Sequence, residues 1–164
     1  MVDDNVIRQF YDKMLYTGDD KRIELLYKKE LSYLYNKKKK VSFINGCFDI
    51  IHPMHIELFW FAKDISDCLV VAVNSDEYIK KHKGNGRPIH KLEERITILA
   101  SLEPIDFIIN FTTECPGDII NIIKPTYLIK GPEYTFEKLT KKEQNAITDN
   151  NIKLMNFPEN ESTR

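Results

Sequence analysis

His52 and His55 stand three residues apart, just after a short apolar run and the polar residues Gly46 and Asp49, in the stretch VSFINGCFDIIHPMHIELFWF at 41–61. At that spacing two imidazoles share one face of a helix's first turn. The backbone N–H groups of such a turn lack intrahelical partners, and the helix dipole favours negative charge there. Imidazole can carry charge near neutral pH, which suits a phosphate that gains negative charge during a reaction. A single histidine after a strand also serves as a cap or a packing residue. Two in register behind Gly46 and Asp49 point instead to a nucleotide phosphate site. A zinc site would need a third ligand or a cysteine partner, so the protein is expected to supply no metal ligands.

Holding such a pair requires a strand before it and a helix after it. The apolar run 41–44 predicts a buried strand, and Ile56, Phe59 and Trp60 predict one side of a helix ending near 64–67. Further apolar runs at 69–73, 107–109, 127–129 and 152–155 predict four more strands. Asn74, Ser75 and Asp76 suit a helix N-cap, and a basic, glycine-containing segment follows at 80–88. Helical patterns cover 92–100, 116–123 (with proline at its start) and 139–150. Short strands alternating with helices predict an α/β fold, a doubly wound five-stranded parallel sheet with both faces covered. In such sheets ligands sit beyond the carboxyl ends of the strands. Gly46, Asp49, His52 and His55 follow the first strand, Asn74 and Asp76 the second, Lys130 and Gly131 the fourth, and Ser162 and Thr163 the fifth. All fall on one predicted edge.

Residues 1–40 differ in character and are expected to form a helical N-terminal arm on a 41–164 domain. Val6, Ile7, Phe10, Met14 and Leu15 recur at helical spacing, Gly18, Asp19 and Asp20 make a turn, and Ile23, Leu25, Leu26, Leu31, Leu34 and Tyr35 predict a second amphipathic helix. The arm would pack on the core domain or on a second subunit, which leaves a homodimer open. The lysines at 37–40 are either a solvated helix end favoured by the dipole or contacts to a phosphate backbone.

A chain of 164 residues supports one sizeable core. Its net charge of −1 provides no field for nucleic acid or an anionic membrane. No apolar run approaches the roughly 20 residues of a membrane-spanning helix, and the start MVDDNV lacks the apolar core of a signal peptide. Cys47, Cys68 and Cys115 form no CxxC pair, so reduced thiols and a cytoplasmic location are expected. Cys47 is expected to be a small packing residue.

The segment NGCFDIIHPMH resembles the GxFDxxHxGH signature of the cytidylyltransferase-like nucleotidyltransferases, a Rossmann-like family. Within that group it is most similar to the adenylyltransferase domain of ADP-heptose synthases. VAVNSDEYIKKHKGNGRPI, LEERITILASLEPIDFII, KPTYLIKGPEY and NFPENEST follow in the same order, so the likeness runs over 41–163 and leaves out the arm. The resemblance implies that a nucleoside triphosphate, with Mg²⁺ on it, is joined to a sugar phosphate or similar acceptor. The acceptor phosphate attacks the α-phosphorus in line and pyrophosphate leaves, a task of positioning and charge stabilisation.

Carried over, His52 and His55 would donate to phosphate oxygens, and Lys83 matches the mobile-loop lysine. Ser162 and Thr163 match the hydroxyl pair that holds pyrophosphate. Asn45, Gly46, Phe48, Lys130 and Gly131 would line the nucleotide site. Asn74, Asp76, Arg87 and Arg95 are weaker candidates for a substrate anion, and Asp49 would organise the turn. For Arg95 and Asp49 a structural salt bridge or cap is an equal expectation.

Met54 stands where the family has glycine, and its thioether either turns into the core or crowds the triphosphate. Asn160 and Glu161 stand where a glycine precedes the hydroxyl pair. CTP with a polyol phosphate is the alternative substrate pair. A nucleotide-binding homologue without turnover, acting through its arm on a partner, is the reading from another class. An NAD domain is disfavoured because GxGxxG is missing, and a tRNA-charging enzyme because the chain is too short and too little basic.

Overall fold

Every one of the five strands is parallel to its neighbours, in the order β3-β2-β1-β4-β5. In the computed structural model, Lys13 and residues 20–158 are described. The helix expected around Val6, Ile7, Phe10, Met14 and Leu15, and the terminal Asn160, Glu161, Ser162 and Thr163, lie outside those residues. Along the chain, α1 (Asp20–Leu26) runs through a π-helical turn (Tyr27–Leu31) into α2 (Ser32–Asn36). Then come β1 (Val41–Gly46), α3 (Pro53–Asp64), β2 (Cys68–Asn74), α4 (Asp76–Lys83) and α5 (Leu92–Ala100). β3 (Phe107–Phe111), α6 (Gly117–Ile123), β4 (Tyr127–Lys130), a 3₁₀ turn (Phe136–Lys138), α7 (Lys141–Asp149) and β5 (Lys153–Asn156) complete it.

All seven residues of β2 are buried, as are the first four of β1, because these strands are covered on both faces. Alternate side chains divide between two cores. Val41, Phe43, Val70 and Ala72 face Ile119, Ile120 and Ala146 of α6 and α7. Ile44, Leu69, Val71 and Val73 face Phe59 and Ala62 of α3 and Ile96 and Leu99 of α5. This is the doubly wound sheet the sequence predicts.

Three expectations meet the structure. The arm, between 20 and 36, packs on the core domain: Ile23, Leu26 and Leu31 are completely buried in the α6–α7 face, whereas Leu25 is 40% exposed. On α3 the buried stripe is Phe59 and Ala62; Trp60, one residue off that stripe, faces solvent. Third, the expected cap at 74–76 opens a helix over 76–83, which runs into the basic segment. Ser75 Oγ accepts from Tyr78 N at 3.1 Å, Asp76 and Glu77 sit in the first turn, and Lys80, Lys81, His82 and Lys83 complement the dipole in the last. Gly84 then stops the helix at φ +98°.

α6 and α7 meet at Gly117. A Cβ there would lie 2.7 Å from Lys142 Cβ and 2.9 Å from its backbone carbon, so neither helix can yield cheaply. Gly117→Ala is expected to destabilise the fold by about 1–3 kcal/mol, seen as a lower urea midpoint with an unchanged slope.

Candidate functional site

A cleft of about 720 Å³ opens at the carboxyl ends of β2, β1 and β4, where the crossovers leave β1 in opposite directions and the strand order reverses. Asn45, Gly46, Phe48, Asp49, His52, His55, Asn74, Lys83, Arg87, Lys130 and Gly131 line it, so a strand-by-strand reading gathers these residues at one place.

The imidazoles are fixed by the start of α3. His52 is the N-cap residue in extended conformation (φ −137°, ψ 170°), and Pro53 at the first helical position has no N–H to leave unpaired. His52 N donates to His55 Nδ1 at 3.3 Å, and the two rings lie 3.9 Å apart. Phe48 meets the His55 ring edge-on at 5.4 Å. Phe48 is itself buried and left-handed (φ +48°). Its ring fills the space over Gly46, where a Cβ would come within 2.9 Å. A side chain at 46 would push out the ring that supports His55.

Burial, then the nearby His52 and Lys83, lower the His55 pKa to about 4. His55 is therefore neutral at physiological pH. Because Nδ1 accepts from the backbone, Nε2 carries the proton and donates. The expectation of a charged imidazole is corrected for this residue. His55 is expected to titrate near pH 4 by NMR in the free protein, and upward of that once a triphosphate adds negative charge. kcat/KM, which reports the free enzyme, should show no His55 ionisation between pH 5.5 and 8. The unfolded chain, with an ordinary histidine pKa of about 6.5, binds more protons than the fold between the two values. His55 thus reduces stability as pH falls from the higher value to the lower, and is without effect above it.

Asp49 is buried and saturated. It accepts from Ile89 N (2.9 and 3.0 Å), His90 N (2.9 Å) and Arg87 Nη1 (3.1 Å). Burial would raise its pKa, but these donors together hold it below the usual carboxylate range. It organises the turn by tethering the segment that carries Arg87. Arg95 has no exposed surface. Nε donates to His90 O, Nη1 to Cys47 O and Asn74 O, and Nη2 to Asp76 Oδ1. Neither Arg95 nor Asp76 lines the cleft. Of the two roles weighed for Arg95, this is the structural one, and Asp76 is its partner. Lys83 is the last residue of α4, in helix, where the resemblance puts a mobile loop. Met54 is half-buried and lies outside the cleft lining.

Tyr78, Glu133, Tyr134 and the half-buried Cys47 also line the cleft. Burial, against Lys83 and Arg95, pushes the Cys47 thiol up, so it is not a ready nucleophile. Tyr78 has a legible signal, being three residues past the Ser75 cap. Glu143, which pairs with Lys130 at 2.8 Å, carries another: Thr140-x-x-Glu143 is a capping box. Among the described residues, no cluster of three or more His, Cys, Asp or Glu side chains could hold a metal ion, and no helix is long and apolar enough to cross a membrane. All three cysteines are free thiols.

Residues 43–162 match the cytidylyltransferase-like family model, and the chain belongs to that family. It is 39% identical over 125 residues to the bifunctional protein HldE of Haemophilus influenzae (strain PittGG), which covers 76% of this chain and 26% of that protein. With HldE of a Nitratiruptor species it is 37% identical over 145 residues, 88% of this chain and 30% of the relative. That second match is too long to be confined to 41–164, so the likeness reaches into the arm. The chain thus spans about a quarter to a third of the length of these curated relatives. Among solved structures, a lipopolysaccharide core biosynthesis protein from Thermoplasma volcanium GSS1 superposes with TM-score 0.63 at 23% identity, over 75% of this chain and 99% of that one. A pantoate-beta-alanine ligase from Francisella tularensis superposes with TM-score 0.59 at 17% identity, over 87% of this chain and 66% of that one. At these identities the superpositions establish the α/β fold.

Proposed function

We propose that the chain is a nucleotidyltransferase that joins a nucleoside triphosphate, ATP before CTP, to a sugar phosphate or similar phosphorylated acceptor and releases pyrophosphate. The observation that carries this reading is the His52–His55 pair, its rings 3.9 Å apart, in the lining of a cleft that also receives Lys83 and Lys130. His55 donates from Nε2 to a phosphate oxygen of the triphosphate as charge builds during in-line attack, and His52 sits beside it. Lys83 and Arg87, after β2, neutralise the reacting phosphates. Asn45, Gly46, Phe48, Lys130 and Gly131 seat the nucleotide across β1 and β4. Ser162 and Thr163 are assigned the leaving pyrophosphate by their place in the sequence motif.

Mg²⁺ enters on the triphosphate, held by phosphate oxygens and water, as is usual for this ion. Asp49, the buried carboxylate of the cleft, is committed to three donor groups and has no role as its ligand. The preference for ATP follows the resemblance of 41–163 to the adenylyltransferase domain of ADP-heptose synthases. The test is pyrophosphate release from MgATP and MgCTP against a panel of sugar phosphates and polyol phosphates. Release with one acceptor supports the reading, release with CTP alone moves the donor to cytidine, and no release with any pair overturns it.

A further inference from the structure

Lys130 ends β4 with its ammonium nearly out of water, and two of its three protons are already assigned. Nζ donates to Asn45 Oδ1 on β1 at 2.9 Å and to Glu143 Oε1 on α7 at 2.8 Å. The Lys130 and Glu143 side chains are 10% and 6% exposed, and the Tyr134 ring centre lies 5.6 Å from Nζ. Glu143 does not line the cleft. Its other oxygen is fixed as well, since Thr140 donates to Oε2 from N at 3.1 Å and from Oγ at 2.8 Å. An ammonium is a donor only, so the Asn45 atom that faces it must be oxygen, and the amide NH₂ is left for another partner. We propose that Glu143 is a positioning residue for the bound nucleotide. Through Lys130 it fixes the Asn45 amide, so that these two side chains at the ends of β1 and β4 turn hydrogen-bond donors toward an anionic ligand.

The physical gain is twofold. A lysine held in one rotamer loses less freedom when the ligand arrives, and a paired ammonium can stay charged in a buried place. The anchor is remote from the reacting atoms, because Glu143 is tied to the α7 cap and not to the cleft. The sequence signal is the same capping box that starts α7, with its glutamate serving two donors at once.

The inference rests on the nucleotide reading above. Its test is the dissociation constant for MgATP and MgCTP, by calorimetry, of the wild type, Glu143→Gln, Lys130→Met, the double variant and Ile105→Val. Glu143→Gln should weaken binding about tenfold, the scale of one charge-assisted hydrogen bond. The double variant should bind no worse than Lys130→Met alone. Ile105→Val, at a wholly buried side chain outside the cleft, should lower the thermal midpoint while leaving Kd unchanged, which separates positioning from loss of stability. Equal Kd for Glu143→Gln and wild type, or fully additive losses in the double variant, overturns the proposal. If the wild type binds neither nucleotide, the function proposed above fails, and NMR of the Lys130 Hε protons decides this point by itself. Two distinct signals, assigned by their loss in Lys130→Met, should average in Glu143→Gln; signals that stay distinct overturn the inference.

Discussion

Replacing His55 with alanine is expected to lower kcat by about 10²–10³-fold, the cost of removing one preorganised donor from a site of developing charge. The size of the effect follows from how His55 is held. Its ring is supported by Phe48 and by His52, and its Nδ1 is occupied by the His52 N–H. The single proton it can donate therefore points in a fixed direction, at no reorganisation cost during the reaction. Because the interaction strengthens in the transition state, KM should move far less than kcat. The substitution also removes a cap from α3, worth about 1 kcal/mol, so the rate must be referred to the folded fraction. A variant that keeps its kcat would remove the imidazole from the mechanism.

Arg95→Met should be the most destabilising single change discussed, at about 3–5 kcal/mol. The side chain is completely buried and satisfies three backbone carbonyls, those of Cys47, Asn74 and His90, as well as the Asp76 carboxylate. Methionine fills comparable volume but takes the donor from all three carbonyls, and a carbonyl left unpaired away from water, as at Asn74, costs about 1–3 kcal/mol. Asp76 is 36% exposed and can recover water, so its share is small. Arg95→Lys should rescue little, since one ammonium cannot span the directions a planar guanidinium reaches. Urea unfolding measures it, and a loss under about 1 kcal/mol would show that the three carbonyls find other donors. Stability aside, Arg95 joins the ends of β1 and β2 to α5, so the cleft should loosen with the fold.

What could be read from the residues differs between backbone and side chain. The five strands were legible because a sheet covered on both faces writes uninterrupted apolar runs, as at Leu69 to Val73. Their carboxyl ends could then be lined up without coordinates, which is why His52, Lys83 and Lys130 were gathered at one cleft. Trp60 was misplaced because hydrophobic spacing alone does not say which of two neighbouring apolar residues turns inward; the sheet chose Phe59. The charge state of His55 was illegible too. It depends on burial and on Lys83, which lies two elements further along the chain. The same holds for Arg95, whose partners lie on three separate segments. An arginine at the edge of a phosphate site and one that braces the floor beneath it look alike in a string of letters.

The packing of α1 carries a consequence for where this domain starts. Ile23, Leu26 and Leu31 sit wholly inside the core that contains Val41 and Phe43, yet the family model begins at residue 43. The span of the family model and the folding unit therefore have different edges, and the 145-residue likeness to a relative, too long to leave α1 out, sides with the folding unit. A shortened version trimmed to the span of the family model would uncover a greasy wall of the sheet, and any fusion or transplant of this module has to bring that first helix with it.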